Sequence, residues 1–96
     1  MHYLLFYDVV DDYVTRRAAF RADHLALART YADRGELLLG GALEDPVDAA
    51  VLLFRGDGPA AAERFAAEDP YVRHGIVRGW RVRPWRTVVG AGEVHP

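Results

Sequence analysis

The run Asp69-Pro70-Tyr71-Val72, followed by Gly75, sets a carboxylate at the mouth of a tight turn, while Arg17, Arg21 and His24 stand at i, i+4 and i+7 earlier in the chain. A histidine brought to an aspartate is a proton-transfer pair: the imidazole changes charge near neutral pH, and a carboxylate can orient it and stabilise its charged form. Arginine beside such a pair can clamp an anionic ligand. His24 and Asp69 are therefore the candidate acid–base residues. Arg21, Arg17, Tyr71 and Tyr31 are the candidate ligand contacts.

Structural roles compete with each assignment. Asp69 before proline is pushed out of the helical basin and can cap a new turn with Pro70 at its first position and Gly75 as its close. Capping uses one carboxylate oxygen and leaves the other for His24. Arg17 and Arg21 can run along a helix edge and pair with Asp8, Asp12 or Glu44. His24 can be a half-buried histidine bonded to backbone, Tyr71 can be core filler, and His74 reads as an inert residue on a short turn. A metal set of His24, His74 and Asp69 is conceivable in type, but its histidines lack ligand spacing on one element, so the expectation is no metal and no cofactor.

Placed at about 100° per residue, positions 13 to 34 form an amphipathic helix. Its polar arc holds Asp12, Arg16, Asp23, Arg29, Asp33 and Arg34; its apolar half holds Val14, Phe20, Leu25, Leu27, Ala28 and Tyr31. Arg17, Arg21 and His24 fall inside the apolar half. Burying them without partners would cost several kcal/mol each, so a carboxylate, a carbonyl, water or a ligand should meet them.

Absences narrow the chemistry. The chain has no Cys, Lys, Ser, Asn or Gln, and all 12 of its cationic side chains apart from histidine are Arg. That removes thiolate catalysis, Ser-His-Asp triads, lysine Schiff bases and the P-loop lysine. The proton carriers left are His, Asp, Glu, Tyr and Thr15, Thr30 and Thr87. The Arg-for-Lys bias with high Ala and Gly suggests a GC-rich bacterial genome. A net charge of −2 gives no global field for nucleic acid or anionic membrane, and Arg78, Arg81, Arg83 and Arg86 lie on both parities of one segment rather than in a stripe. No opening segment pairs a basic start with a long apolar run, and no stretch approaches the roughly 20 apolar residues that span a bilayer, so the expected location is cytoplasmic.

The elements that must position these residues are legible in outline. His2 to Val9 reads as a strand apolar at both parities, covered on both sides. A helix follows to about Arg34 and stops at Gly35. Strands are expected over 36–43 and 50–55, joined through a turn at 44–48. A short helix runs from Ala60 to Glu68, and one long or two short strands cover 76–89. Trp80 and Trp85 read as core and interface aromatics. The order βαββαβ is the α+β, ferredoxin-like pattern with an antiparallel sheet and both helices on one face. Residues 1–89 would form one domain and 90–96 a tail. Strand one and the run Leu37-Leu38-Leu39 make the open face apolar, which predicts a homodimer packed through it.

Arg21-x-x-His24-Leu25-Ala26, the glycine-closed helix end at Gly35, and Asp69-Pro70-Tyr71-Val72-x-x-Gly75 together resemble the YciI-like (YCII-related) family of small bacterial proteins, and the likeness extends to Val82-Arg83-Pro84-Trp85. The resemblance implies a ferredoxin-like dimer of the dimeric α/β-barrel type with an active site around a His/Asp pair, at His24 and Asp69 here. Family members often carry Gly-Pro after the second strand and serine at the start of helix two, where this chain has Gly40-Gly41 and Gly58-Pro59. Some relatives in aromatic degradation are lyases or dehydrochlorinases. The leading expectation is thus a cofactor-independent, lyase- or isomerase-like enzyme moving a proton on a small anionic or aromatic molecule. The alternative is a non-catalytic dimeric module that binds a metabolite or a protein partner through the same pocket.

Overall fold

Alternation along the first strand decides which face becomes the core. In β1 (His2–Val9) the odd positions Tyr3, Leu5, Tyr7 and Val9 are buried, while Leu4 and Phe6 are half-buried on the opposite face. In β3 (Ala49–Arg55) Ala50, Leu52 and Phe54 continue the buried side, and the register pairs Leu5 with Leu52 and Tyr7 with Ala50. The computed structural model describes residues 1–92 and Val94. Glu93, His95 and Pro96, part of the expected tail, lie outside the described residues.

The fold is α+β and ferredoxin-like. β2 (Leu37–Ala42), β3, β1 and β4 (Val77–Trp85) stand in the order β2-β3-β1-β4, every pair antiparallel. Helices α1 (Tyr13–Arg16), α2 (Arg21–Asp33), α3 (Ala60–Glu68) and α4 (Pro70–Arg73) complete the chain. Phe65, Ala62 and Ala66 of α3 share one buried core with Phe54, Tyr31 and Ile76. Three aromatic rings are central there: Phe65 lies 5.2 Å from Tyr31 and 5.6 Å from Phe54 by centroid.

Two left-handed glycines end the helices that carry the site. Gly35 has φ 77° and Gly75 φ 75°, a region that costs a residue with a Cβ. After α2, Gly35 N–H donates to Ala32 O and Glu36 N–H to Tyr31 O; after α4, Gly75 N–H donates to Val72 O and Ile76 N–H to Tyr71 O. Both are Schellman closures.

The structure departs from the expected elements in four places. The helix expected from 13 to 34 is broken: a 3-10 turn, Arg17–Ala19, separates α1 from α2, and Phe20 sits at φ −117°, ψ 0°. No glycine or proline marks that break. A tertiary contact accompanies it: the Phe20 ring stacks on His74 at 4.2 Å. The second strand is irregular, with Leu38 as an extra residue between the pairs Leu37–Phe54 and Leu39–Leu53. The last strand ends at Trp85 rather than near 89, and Thr87 returns to β1 by a 2.6 Å hydrogen bond with His2 Nδ1. Trp80, expected in the core, is 40% exposed on the helix side of the sheet's β4 edge.

Candidate active site

Asp69 is where the local and the long-range arguments meet. It closes α3, its N–H donating to Phe65 O, and then caps α4 with Pro70 in the first position, Oδ1 accepting from Tyr71 N–H at 3.0 Å. Proline fixes the turn and denies Asp69 a helical conformation; its ψ is 123°. This puts a 0% exposed carboxylate beneath α2. A buried carboxylate needs every lone-pair direction met. Tyr7 Oη donates to Oδ2 at 2.7 Å, and His24 Nδ1 lies 2.8 Å from Oδ1.

The hydrogen between His24 and Asp69 can be assigned from this inventory. A carboxylate that already accepts from a phenol and an amide accepts a third time, so Nδ1 carries the hydrogen, and in the neutral ring Nε2 then keeps its lone pair. No protein group among the described residues bonds Nε2. The ring is held flat against Tyr71, centroids 3.9 Å apart and planes 6° from parallel, with the Phe65 edge at 6.1 Å. With 16% of its side chain exposed, His24 is held firmly yet open to solvent. Burial, and then the Asp69 charge, push the Tyr7 hydroxyl far above its ordinary pKa, so it remains a protonated donor to Asp69.

A cavity of about 200 Å³ lies between α2 and the helix-side face of β2 and β3. His24, Arg17, Arg21, Tyr71, Tyr7 and Tyr13 supply its polar wall. Small residues make the space: Gly40, Gly41, Ala42 and Ala50 form part of the sheet side, and a Cβ on Gly40 would stand 3.3 Å from Leu52 Cγ. The glycine pair found in place of Gly-Pro thus helps shape the cavity.

Four of the six residues anticipated from sequence, His24, Arg17, Arg21 and Tyr71, line this cavity; Asp69 stands behind His24. The break at Phe20 does not scatter the arginines. Arg17 stacks over the Tyr13 ring at 5.1 Å, and neither arginine meets a carboxylate among the described residues; Asp12 instead lies 3.9 Å from Arg16. The Tyr71 hydroxyl is buried without a hydrogen-bond partner. Burial raises its pKa and Tyr13 adds to the rise, while nearby Arg21 and Arg17 pull against it.

Tyr31 is the exception. It shares the His24 side of α2 but stands two turns along, about 10 Å away, in the core. Its hydroxyl donates to Glu68 and accepts from Arg64 Nε at 3.2 Å, a network that Arg64 extends to Glu36 at 3.1 Å. Tyr31 is thus placed in the core and does not line the cavity. Tyr7 is the one that sequence reasoning passed over, because an aromatic at an odd position of β1 has the same signature as core. His74 lines a different groove with Asp23 and Glu68, and no three His, Asp or Glu side chains among the described residues converge as a metal site.

Residues 1–86 match the family described as YCII-related domain. An uncharacterized protein of Haemophilus influenzae is 29% identical over 97 residues, spanning 92% of this chain and 99% of that protein. Among solved structures, the 5-chloro-2-hydroxyhydroquinone dehydrochlorinase of Burkholderia phenoliruptrix AC1100, in complex with 2,5-dihydroxybenzoquinone, aligns with a TM-score of 0.75 at 17% identity, covering 92% of this chain and 96% of its own. A protein from Agrobacterium tumefaciens aligns with a TM-score of 0.60 at 13% identity, covering 92% and 94%. At such identities the structural likeness speaks for the fold.

Proposed function

The chain belongs to the YCII-related domain family, and from that premise we propose that the cavity beneath α2 is an acid–base site where His24 exchanges a proton with a small anionic or aromatic molecule. The observation that carries this reading is the 2.8 Å contact between His24 Nδ1 and a fully buried Asp69, on the wall of a cavity that also holds two arginines without carboxylate partners. Nε2 acts as the base. On taking a proton the ring becomes a cation, and the Asp69 carboxylate beside Nδ1 stabilises it. Arg21 and Arg17 hold the ligand's negative charge. The chemistry is lyase- or isomerase-like and calls on no resident cofactor. That the solved dehydrochlorinase holds a one-ring dihydroxyquinone supports a ligand of similar size.

The working unit is a homodimer formed through the sheet face that the helices leave open. That face carries Leu4, Phe6, Val51 and Leu53, with Leu39 71% and Trp85 45% exposed at its margins. Arg81 and Arg83 of β4 share this face, opposite Phe6 and Leu4, with Arg81 over the Phe6 ring at 4.5 Å. An apolar face of this kind marks an interaction surface.

The test is a thermal-shift screen of small aromatic and keto acids, followed by NMR of carbon-bound hydrogen exchange with deuterium oxide for each ligand found. His24→Ala should stay folded, within about 1 kcal/mol of wild type, and lose the exchange. Ligands that bind but exchange no hydrogen in wild type would replace the acid–base reading with that of a binding module.

A further inference from the structure

Tyr71 raises a question that the proton-transfer pair does not answer. Its hydroxyl is buried and donates to no acceptor, with only the Arg21 guanidinium, itself a donor, drawn to its oxygen, although an unsatisfied buried hydroxyl costs about 1–3 kcal/mol. Phenylalanine would stack on His24 and meet the Tyr13 edge, 5.8 Å away, equally well. The hydroxyl thus contributes nothing to packing. It lies within the influence of Tyr13, Arg17 and Arg21, and all four residues line the cavity that His24 faces.

We propose that Tyr71 Oη and the Arg21 guanidinium form a subsite for the weakly acidic oxygen of a phenolate or enolate, placed beside the base His24. This deepens the acid–base reading above and rests on it for the step, though not for the binding. The chemistry of the donor favours such an oxygen over a carboxylate, and the size of the cavity sets the ligand's bulk. The donor is a single neutral hydroxyl kept protonated by burial, and one hydroxyl matches the single charged oxygen of a phenolate or enolate better than the two of a carboxylate. The cavity of about 200 Å³ admits roughly one ring. Arg21 is exposed and meets no carboxylate among the described residues, so its guanidinium can follow the ligand's charge.

In the step this subsite supports, the C–H bond beside a carbonyl breaks, its proton passes to His24 Nε2, and its electron pair becomes an enolate whose charge rests on the oxygen facing Tyr71. Return of the proton from the imidazolium to the other end of the enolate closes an isomerisation, with no further reactant. Tyr71 holds charge that develops in the reaction, the role of an oxyanion donor.

The experiment is calorimetric titration of wild type and Tyr71→Phe with 4-nitrophenolate and with benzoate, two one-ring anions. Wild type should bind 4-nitrophenolate more tightly than benzoate. Tyr71→Phe should weaken 4-nitrophenolate about tenfold, the size of one hydrogen bond, leave benzoate nearly unchanged, and melt at or above the wild-type temperature. Equal affinities of the two anions for wild type, unchanged 4-nitrophenolate binding in Tyr71→Phe, or a lower melting temperature would each overturn the subsite. None of these would touch the deuterium-exchange test of His24, and failure of that exchange with Tyr71-dependent binding intact would strike the acid–base reading alone.

Discussion

Asp69 draws three donors from three stretches of the chain: the Tyr7 hydroxyl from β1, the His24 ring from α2 and the Tyr71 amide from its own turn. Hydrogen bonds to a buried charge contribute more than neutral ones, so Tyr7→Phe should cost about 1.5–3 kcal/mol in urea denaturation. The same phenol gives stability a pH limit. In the unfolded chain it ionises at its ordinary 10.0, while burial and Asp69 hold it protonated in the fold well beyond that. Its contribution is complete below 10.0 and is lost as pH rises above it. Tyr31 and Tyr71 are raised in the same direction. Wild type should therefore lose melting temperature progressively in that alkaline range, and Tyr7→Phe should flatten the decline; parallel profiles for the two proteins would contradict this. His24 and Asp69 were readable from sequence because each breaks a local pattern, a polar residue in an apolar arc and an acid before proline. Tyr7 breaks none. Tyr31 stands away from the cavity because helical periodicity fixes the side of a helix but not the distance along it.

At the scale of elements, the site depends on how short segments end. Asp69, Pro70 and Gly75 define α4 between them, and with it the places of Tyr71 and of the Asp69 carboxylate. A Cβ at Gly75 would meet nothing within 4 Å, so its cost is purely that of the left-handed backbone at φ 75°. Gly75→Ala should destabilise by about 1–2 kcal/mol in thermal or urea denaturation; an unchanged midpoint would show that the turn does not need that conformation. Caps of this sort are written in a few adjacent residues, which is why the ends at Gly35 and Gly75 and the Asp-Pro turn could be read without a structure. The break at Phe20 could not be. It is accompanied by a stack with His74, 54 residues away in sequence, and local propensity is silent about such a contact. The bulge at Leu38 is hidden for a similar reason, since three consecutive leucines satisfy either register.

For the molecule as a whole, the sheet divides two kinds of apolar surface: a sealed core under the helices and an open face carrying Leu39 and Trp85. Apolarity at both parities of β1 made that division legible, although no sequence pattern says what covers the open face. Leu39→Asp should leave the circular dichroism spectrum intact and reduce the light-scattering mass from twice the chain to the 10.7 kDa of one copy; a wild type that is already monomeric would remove the dimer. The His24–Asp69 hydrogen bond joins α2 to the turn before α4 and is braced by Tyr7 of β1, so it reports on the assembled fold as well as on the proposed chemistry. The proposed acid–base role requires that Asp69 hold the Nδ1 hydrogen and leave Nε2 of His24 free to act as a base. Long-range proton–nitrogen NMR of ¹⁵N-histidine protein reads this directly. The neutral His24 ring should be the Nδ1–H tautomer in wild type and lose that preference in Asp69→Ala, whereas an Nε2–H ring in wild type would contradict the account.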